Sequence, residues 1–227
     1  MHYKAVIFDL DGTLINSLED LAESANKMLE SYGYPTHSLE AYKQMIGNGV
    51  HELMKRCMPD NIGADRIAEG AARYKEIYKA RFLEKTRSYE GILDVLKELS
   101  IREIPMAVCT NKPTEDAHTI VEVLFEKDTF REVIGDEPGL PRKPDPAKVL
   151  AIADRFGVLP EETVYIGDSM VDMKTAVHAN MLPVGVLWGF RDQQELEDNG
   201  ARVLLEHPKE LLQKIEFIED APGHICS

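Results

Sequence analysis

The chain has 227 residues, 44% hydrophobic and 29% charged, enough for an ordinary packed core in one large or two smaller domains. Its formal net charge of −14 argues against nucleic acid or an anionic membrane as partner, since both require a basic surface; a small anionic ligand stays open, because a metal, a lysine and helix N-termini can make one pocket locally positive. The three cysteines, Cys57, Cys109 and Cys226, stand at no metal-ligand spacing, which argues against a disulfide framework or a zinc site and for reduced thiols.

The first predicted element is a strand. Ala5-Val6-Ile7-Phe8 runs without a break into Asp9-Leu10-Asp11-Gly12-Thr13-Leu14, the pattern of a buried strand of a parallel sheet ending at the edge where such folds place ligands. Alternation would set Asp9 and Asp11 on one face, but Gly12 permits a turn that swings Asp11 away. Carboxylates held this close cannot both stay ionised cheaply without a cation, so a hard metal ion is expected. The same aspartates interrupt any leader-like apolar segment, and no stretch approaches membrane-spanning length; a cytoplasmic protein is expected.

A helix follows. Ser17-Leu18-Glu19-Asp20 has the spacing of a capping box, Leu18, Leu21, Ala22, Ala25, Met28 and Leu29 recur at helical period, and Gly33 with Pro35 ends the run. A second helix is expected from Ser38 to the turn Gly47-Asn48-Gly49, a third over His51 to Met58, and a fourth from about Asp65 to Lys85. No credible strand lies between Asn16 and Arg87, although strands flank the region. Residues 16–86 therefore read as an inserted all-helical cap domain, and 1–15 with 87–227 as the core.

Beyond Tyr89 helices and strands alternate. The spacing predicts a helix over Gly91 to Ser100, a strand at Pro105 to Thr110, a helix over Thr114 to Phe125, and a short strand at Glu132 to Gly135. A helix capped by Asp145, with Pro146 at its first position and Gly157 at its end, comes next. Strands at Thr163 to Gly167 and Pro183 to Leu187 enclose a helix over Ser169 to Asn180; a strand at Ala201 to Leu205 leads to a terminal helix, and the tail after Asp220 is expected to be loose. The fold class is α/β: a doubly wound, Rossmann-like parallel sheet. There is no internal repeat.

Four segments carry chemistry in order along the chain: Asp9-Leu10-Asp11-Gly12-Thr13, Thr110-Asn111-Lys112, Lys143-Pro144, and Gly167-Asp168 followed by Asp172. Together they resemble the four motifs of the haloacid dehalogenase-like phosphohydrolases, over Phe8 to about Glu206, in the group of phosphoglycolate phosphatases and β-phosphoglucomutase-like proteins with a helical cap, and Ile46-Gly47-Asn48-Gly49-Val50 is similar to the corresponding segment of phosphoglycolate phosphatases. The resemblance implies a phosphoryl-transfer enzyme acting on a small phosphate ester. In it Asp9 is the nucleophile forming an aspartyl-phosphate, Asp11 the general acid and base, and Lys143 the cation bridging nucleophile and phosphate. Thr110 and Asn111 bind the phosphoryl oxygens, while Gly47 and Asn48 face the substrate from the cap. Mg²⁺ is held by Asp9, the Asp11 backbone carbonyl and Asp168, with Asp172 just behind them.

Charge arithmetic agrees: four aspartates give −4, one Mg²⁺ and Lys143 give +3, and a proton on Asp11 brings the site to neutrality. The leading expectation is a phosphoglycolate phosphatase. A β-phosphoglucomutase-like transferase, a pyrophosphatase and a non-catalytic phospholigand-binding protein share the same core and stay open. Arg142 is undecided, and so is the oligomeric state. Two positions depart from the family pattern: Tyr89-Glu90-Gly91 replaces Tyr-Pro-Gly, implying a softer hinge, and Asn180 replaces a helix-ending glycine, a change that asparagine tolerates in the left-handed conformation.

Overall fold

Four buried apolar residues, Ala5–Phe8, form the central strand β1 in the computed structural model, which describes residues 2–218. An all-apolar strand is stable only with both faces covered. Here β1 is hydrogen-bonded on one side to β4 (Met106–Pro113) and on the other to β6 (Thr163–Gly167), in parallel. With β5 (Glu132–Asp136), β7 (Leu182–Val186) and β8 (Val203–Leu205), they make a six-stranded sheet of order β5-β4-β1-β6-β7-β8, with every pairing parallel. The chain works outward through β4 and β5, then returns to β6 on the other side of β1. The order therefore reverses between β1 and β6, where open α/β sheets leave a crevice beyond the strand ends.

The remaining two strands, β2 (Ile15–Asn16) and β3 (Arg87–Ser88), pair antiparallel at the two junctions of the helical insertion. Between them lie α1 (Leu18–Ser31), α2 (Leu39–Met45), α3 (Val50–Cys57) and α4 (Ala64–Lys79). These helices close their own cluster around Met28, Leu29, Tyr42, Met54 and Tyr74, apart from the cluster that fills the sheet. The sheet helices are α5 (Ile92–Ile101), α6 (Thr114–Leu124), α7 (Ala147–Phe156), α8 (Met170–His178), α9 (Gln193–Asp198) and α10 (Leu211–Lys214). The α/β fold with an inserted helical layer is as expected.

Several local expectations need correction. Ser17 precedes α1 but its hydroxyl caps nothing: it donates to Asp11 Oδ1 at 2.5 Å, and Asp20 turns to the other junction, accepting from the Lys85 and Thr86 amides and the Thr86 hydroxyl. The capping spacing is real, yet tertiary partners outcompete it. The fourth helix stops at Lys79 rather than Lys85, because Ala80 to Glu84 turn back to bring Thr86 to Asp20. Pro146 is the cap rather than the first residue of α7, with Asp145 Oδ1 accepting from Ala147 N at 2.9 Å. Helix α9 escaped notice, since Leu196 alone among its residues is buried and gives no period. Asn180 does adopt the left-handed conformation, at φ 58. Cys226 and the tail after Asp220 lie outside the described residues, and no helix among those described is long and apolar enough to cross a membrane.

Candidate active site

Strand β1 delivers Asp9 and strand β6 delivers Asp168 to the same edge of the sheet, on the two sides of the point where the strand order reverses. Helix α8 adds Asp172 from its first turn. All three are buried, and each offers a carboxylate oxygen within 4.8 Å of the others. Burial and mutual repulsion hold Asp9 up to about 7 and Asp168 well above the ordinary carboxylate range. Lys143 lies between Asp9 Oδ1 and Asp172 Oδ1, 2.8 Å from each, and donates to the Tyr165 hydroxyl at 3.0 Å. Its neighbouring carboxylates outweigh burial and keep it charged.

The Lys143 contact with Asp9 Oδ1 is a close ion pair but poorly aligned, so this buried oxygen has no hydrogen-bond donor among the described residues. Three buried carboxylates converging in this way, one oxygen without an aligned donor, are the donor set of a hard divalent cation. Glycine leaves room for it. A Cβ on Gly12, whose φ is +85, would meet Asp168 Oδ2 at 2.1 Å, and one on Gly189 would meet Asp168 Cβ at 2.3 Å and the Gly12 carbonyl at 2.5 Å. Asp168 Oδ2 is anchored by the Phe190 amide at 2.7 Å. Asp172 accepts from the Ser169 amide at 3.1 Å and its hydroxyl at 2.6 Å, so it serves the helix end and Lys143 at once.

Asp11 stands apart from this group, turned away at Gly12 as expected. Its carboxylate accepts from Ser17 Oγ and, through both oxygens, from Lys112 Nζ at 3.0 and 3.1 Å. Lys112 adds a second buried positive charge to the site: four aspartates against Lys143 and Lys112 leave −2, before a divalent cation and the proton expected on Asp11 are added. Thr110 is buried beside Asp9 on the same cavity wall. Asn111 lines the same cavity, and its side chain holds the Lys143 loop: its Oδ1 accepts from Lys143 N at 3.1 Å, and its Nδ2 donates to Lys143 O at 3.3 Å and Gly47 O at 3.4 Å.

Asp9, Asp11 and Thr110 to Pro113 form the floor of a cavity of about 300 Å³. Leu21, Ile46, Gly47, Val50, Tyr74 and Tyr78 of the helical layer form its roof. Asn48 faces a neighbouring crevice with Arg56 and Arg191 rather than this cavity. Sequence reasoning also missed the strap Trp188 to Arg191. Trp188 Nε1 donates to Thr13 O at 2.9 Å, the Phe190 ring enters the cluster of the helical layer, and Arg191 donates to Ile46 O at 2.7 Å. Tyr165 was missed as well, although its place two residues before Gly167 on β6 put it on a known face.

Comparison with known proteins agrees with this geometry. Residues 6–186 match the model of the family described as haloacid dehalogenase-like hydrolase. The chain is 33% identical over 214 residues to the phosphoglycolate phosphatase of Pseudomonas putida strain KT2440 and 31% identical to phosphoglycolate phosphatase 1 of Pseudomonas aeruginosa, covering in each case 92% of this chain and 78% of the relative. The crystal structure of a Lactobacillus delbrueckii subsp. bulgaricus protein, 30% identical, superposes with a TM-score of 0.89 over 95% of this chain and 99% of the other. A haloacid dehalogenase-like family hydrolase from Streptococcus pneumoniae shares the fold at 24% identity and a TM-score of 0.85, over 93% and 98% of the two chains.

Proposed function

The chain belongs to the haloacid dehalogenase-like hydrolase family, and from that premise we propose that it is a Mg²⁺-dependent phosphatase whose substrate is 2-phosphoglycolate. The observation that carries the reading is Asp9: a buried carboxylate at the switch point, facing a cavity under the helical layer, flanked by Asp168 and Asp172 and paired with Lys143. The substrate follows from the relatives' activity, and the cavity's size suits a compact ester rather than a polymer. Residues 16–86 act as the cap and residues 1–15 with 87–227 as the core.

The chain's own residues divide the work. An oxygen of Asp9 attacks phosphorus in line, giving an acyl phosphate on Asp9 as the glycolate oxygen departs with a proton from Asp11. A water then attacks that phosphorus, Asp11 takes its proton, and phosphate and free Asp9 are restored. Lys143 and the Thr110 hydroxyl stabilise charge on the phosphoryl oxygens, each such preorganised donor lowering the barrier by about 3 kcal/mol. Bound among Asp9, Asp168 and the Asp11 carbonyl, Mg²⁺ would offset the repulsion between these carboxylates and the phosphate. Asn111 serves by fixing the Lys143 loop, and the helical layer keeps bulk water from the acyl phosphate.

The test is phosphate release from 2-phosphoglycolate by purified protein. Release should require Mg²⁺, stop on chelation and be lost in Asp9→Asn. No release, or release undiminished in Asp9→Asn, would reject the reading.

A further inference from the structure

The cavity roof is apolar, and few of its lining groups can meet a polar leaving group. Lys75 and Lys79 are exposed at the mouth, Lys79 facing Glu115 at 3.8 Å. Lys143 is held by Asp9 and Asp172. The Asn111 side chain is occupied by backbone groups on both sides. Two donors remain. Lys112 Nζ, on a side chain 4% exposed, has three N–H groups and gives two contacts to Asp11. The Tyr78 hydroxyl is fully buried and has no hydrogen-bond partner among the described residues. The ammonium lies over the Tyr78 ring, 4.8 Å from its centroid, so the two side chains are neighbours.

Their position relative to the reaction is fixed by Asp11. In the phosphatase reading, on which this inference rests, Asp11 protonates the leaving oxygen, so whatever is bonded to its carboxylate lies beside the first atoms of the leaving group. We propose that Lys112 and Tyr78 are the specificity-determining pair for a carboxylate carried on the leaving group close to the ester oxygen. A buried phenol without a partner is unfavourable, and an acceptor on the substrate removes that deficit. Apolar walls at Leu21, Ile46, Val50 and Leu53 lower the local dielectric and strengthen an ammonium–carboxylate contact made there.

The experiment compares 2-phosphoglycolate with 2-phosphoglycolamide, in which a neutral amide of the same shape replaces the carboxylate. Both undergo the same phosphoryl chemistry, so any disturbance of Asp11 cancels in the ratio of their kcat/KM values. The wild type should prefer the carboxylate ester. Lys112→Met should reduce that preference about 10- to 100-fold, the loss of one charge-assisted contact, mainly through KM. Lys112→Arg should restore part of it, and Tyr78→Phe should reduce it in the same direction by less. Should Lys112→Met fail to fold in a thermal melt, Lys112→Arg and Tyr78→Phe give the same reading from smaller changes. A wild type without preference, or a ratio unmoved by these variants, overturns the inference while the phosphatase reading stands. Hydrolysis of neither ester overturns that reading itself.

Discussion

Lys143 carries its charge at 3% side-chain exposure, a position that only its two carboxylate neighbours make tenable. Lys143→Met would strand Asp9 and Asp172 together, so urea unfolding without metal should show a loss of about 3–5 kcal/mol. Gly189 illustrates how closely the backbone approaches the same site. A methyl there would fall 2.3 Å from Asp168 Cβ, so Gly189→Ala must displace that carboxylate. Trp188, the one tryptophan of the chain, is its neighbour and bonds to the Thr13 carbonyl. A Mg²⁺ titration followed by tryptophan fluorescence should show affinity weakened about 10- to 100-fold, with the fold retained.

At the level of elements, the two junctions of the helical layer are fastened by one residue. Asp20, on α1 and fully buried, accepts three backbone or hydroxyl hydrogen bonds at Thr86 and Lys85 as the chain returns to β3. Asp20→Ala leaves these donors buried and should lower stability by about 3 kcal/mol in denaturant melts, with Asp20→Asn less affected because it still accepts. On the opposite side the 188–191 strap joins the Asp168 end of β6 to the helical layer through Phe190 and Arg191. Arg191→Met removes the donor to Ile46 O beside Gly47. Faster proteolysis at residues 46–49 and a rise in KM exceeding the fall in kcat are the expected outcome.

For the whole molecule, metal and pH act on one equilibrium. Asp9 releases its proton at about 7 in the fold but near 3.8 when unfolded, and Asp168 is shifted the same way. The folded state therefore binds protons more tightly across this window, and the metal-free protein loses stability as pH rises from about 4 to 7. A cation binds only the folded, deprotonated cluster and opposes that loss, by about 2.7 kcal/mol at a hundredfold excess over its Kd. Thermal melts should show a larger Mg²⁺-induced rise in Tm at pH 8 than at pH 5; equal rises would contradict this account.

The strands of the sheet and most of the helices were legible because they depend on local pattern, apolar runs ending in glycine turns, whereas the meeting of Asp9 with Asp168 was implied by the resemblance of the four motifs to the family's. Asn180 in its left-handed conformation belongs to the same class. Partners distant in sequence were not legible. Ser17 and Asp20 have the spacing of a cap, yet one bonds Asp11 and the other Thr86, since side-chain hydrogen bonds go to whatever the fold brings within reach. The chain alone thus determined the sheet, the helical insertion and the acidic cluster. Only the tertiary structure decided that Lys112 pairs with Asp11, that Asn111 holds a loop and that Phe190 ties the cluster to the roof, because no local period encodes contacts across 22 to 145 residues of chain.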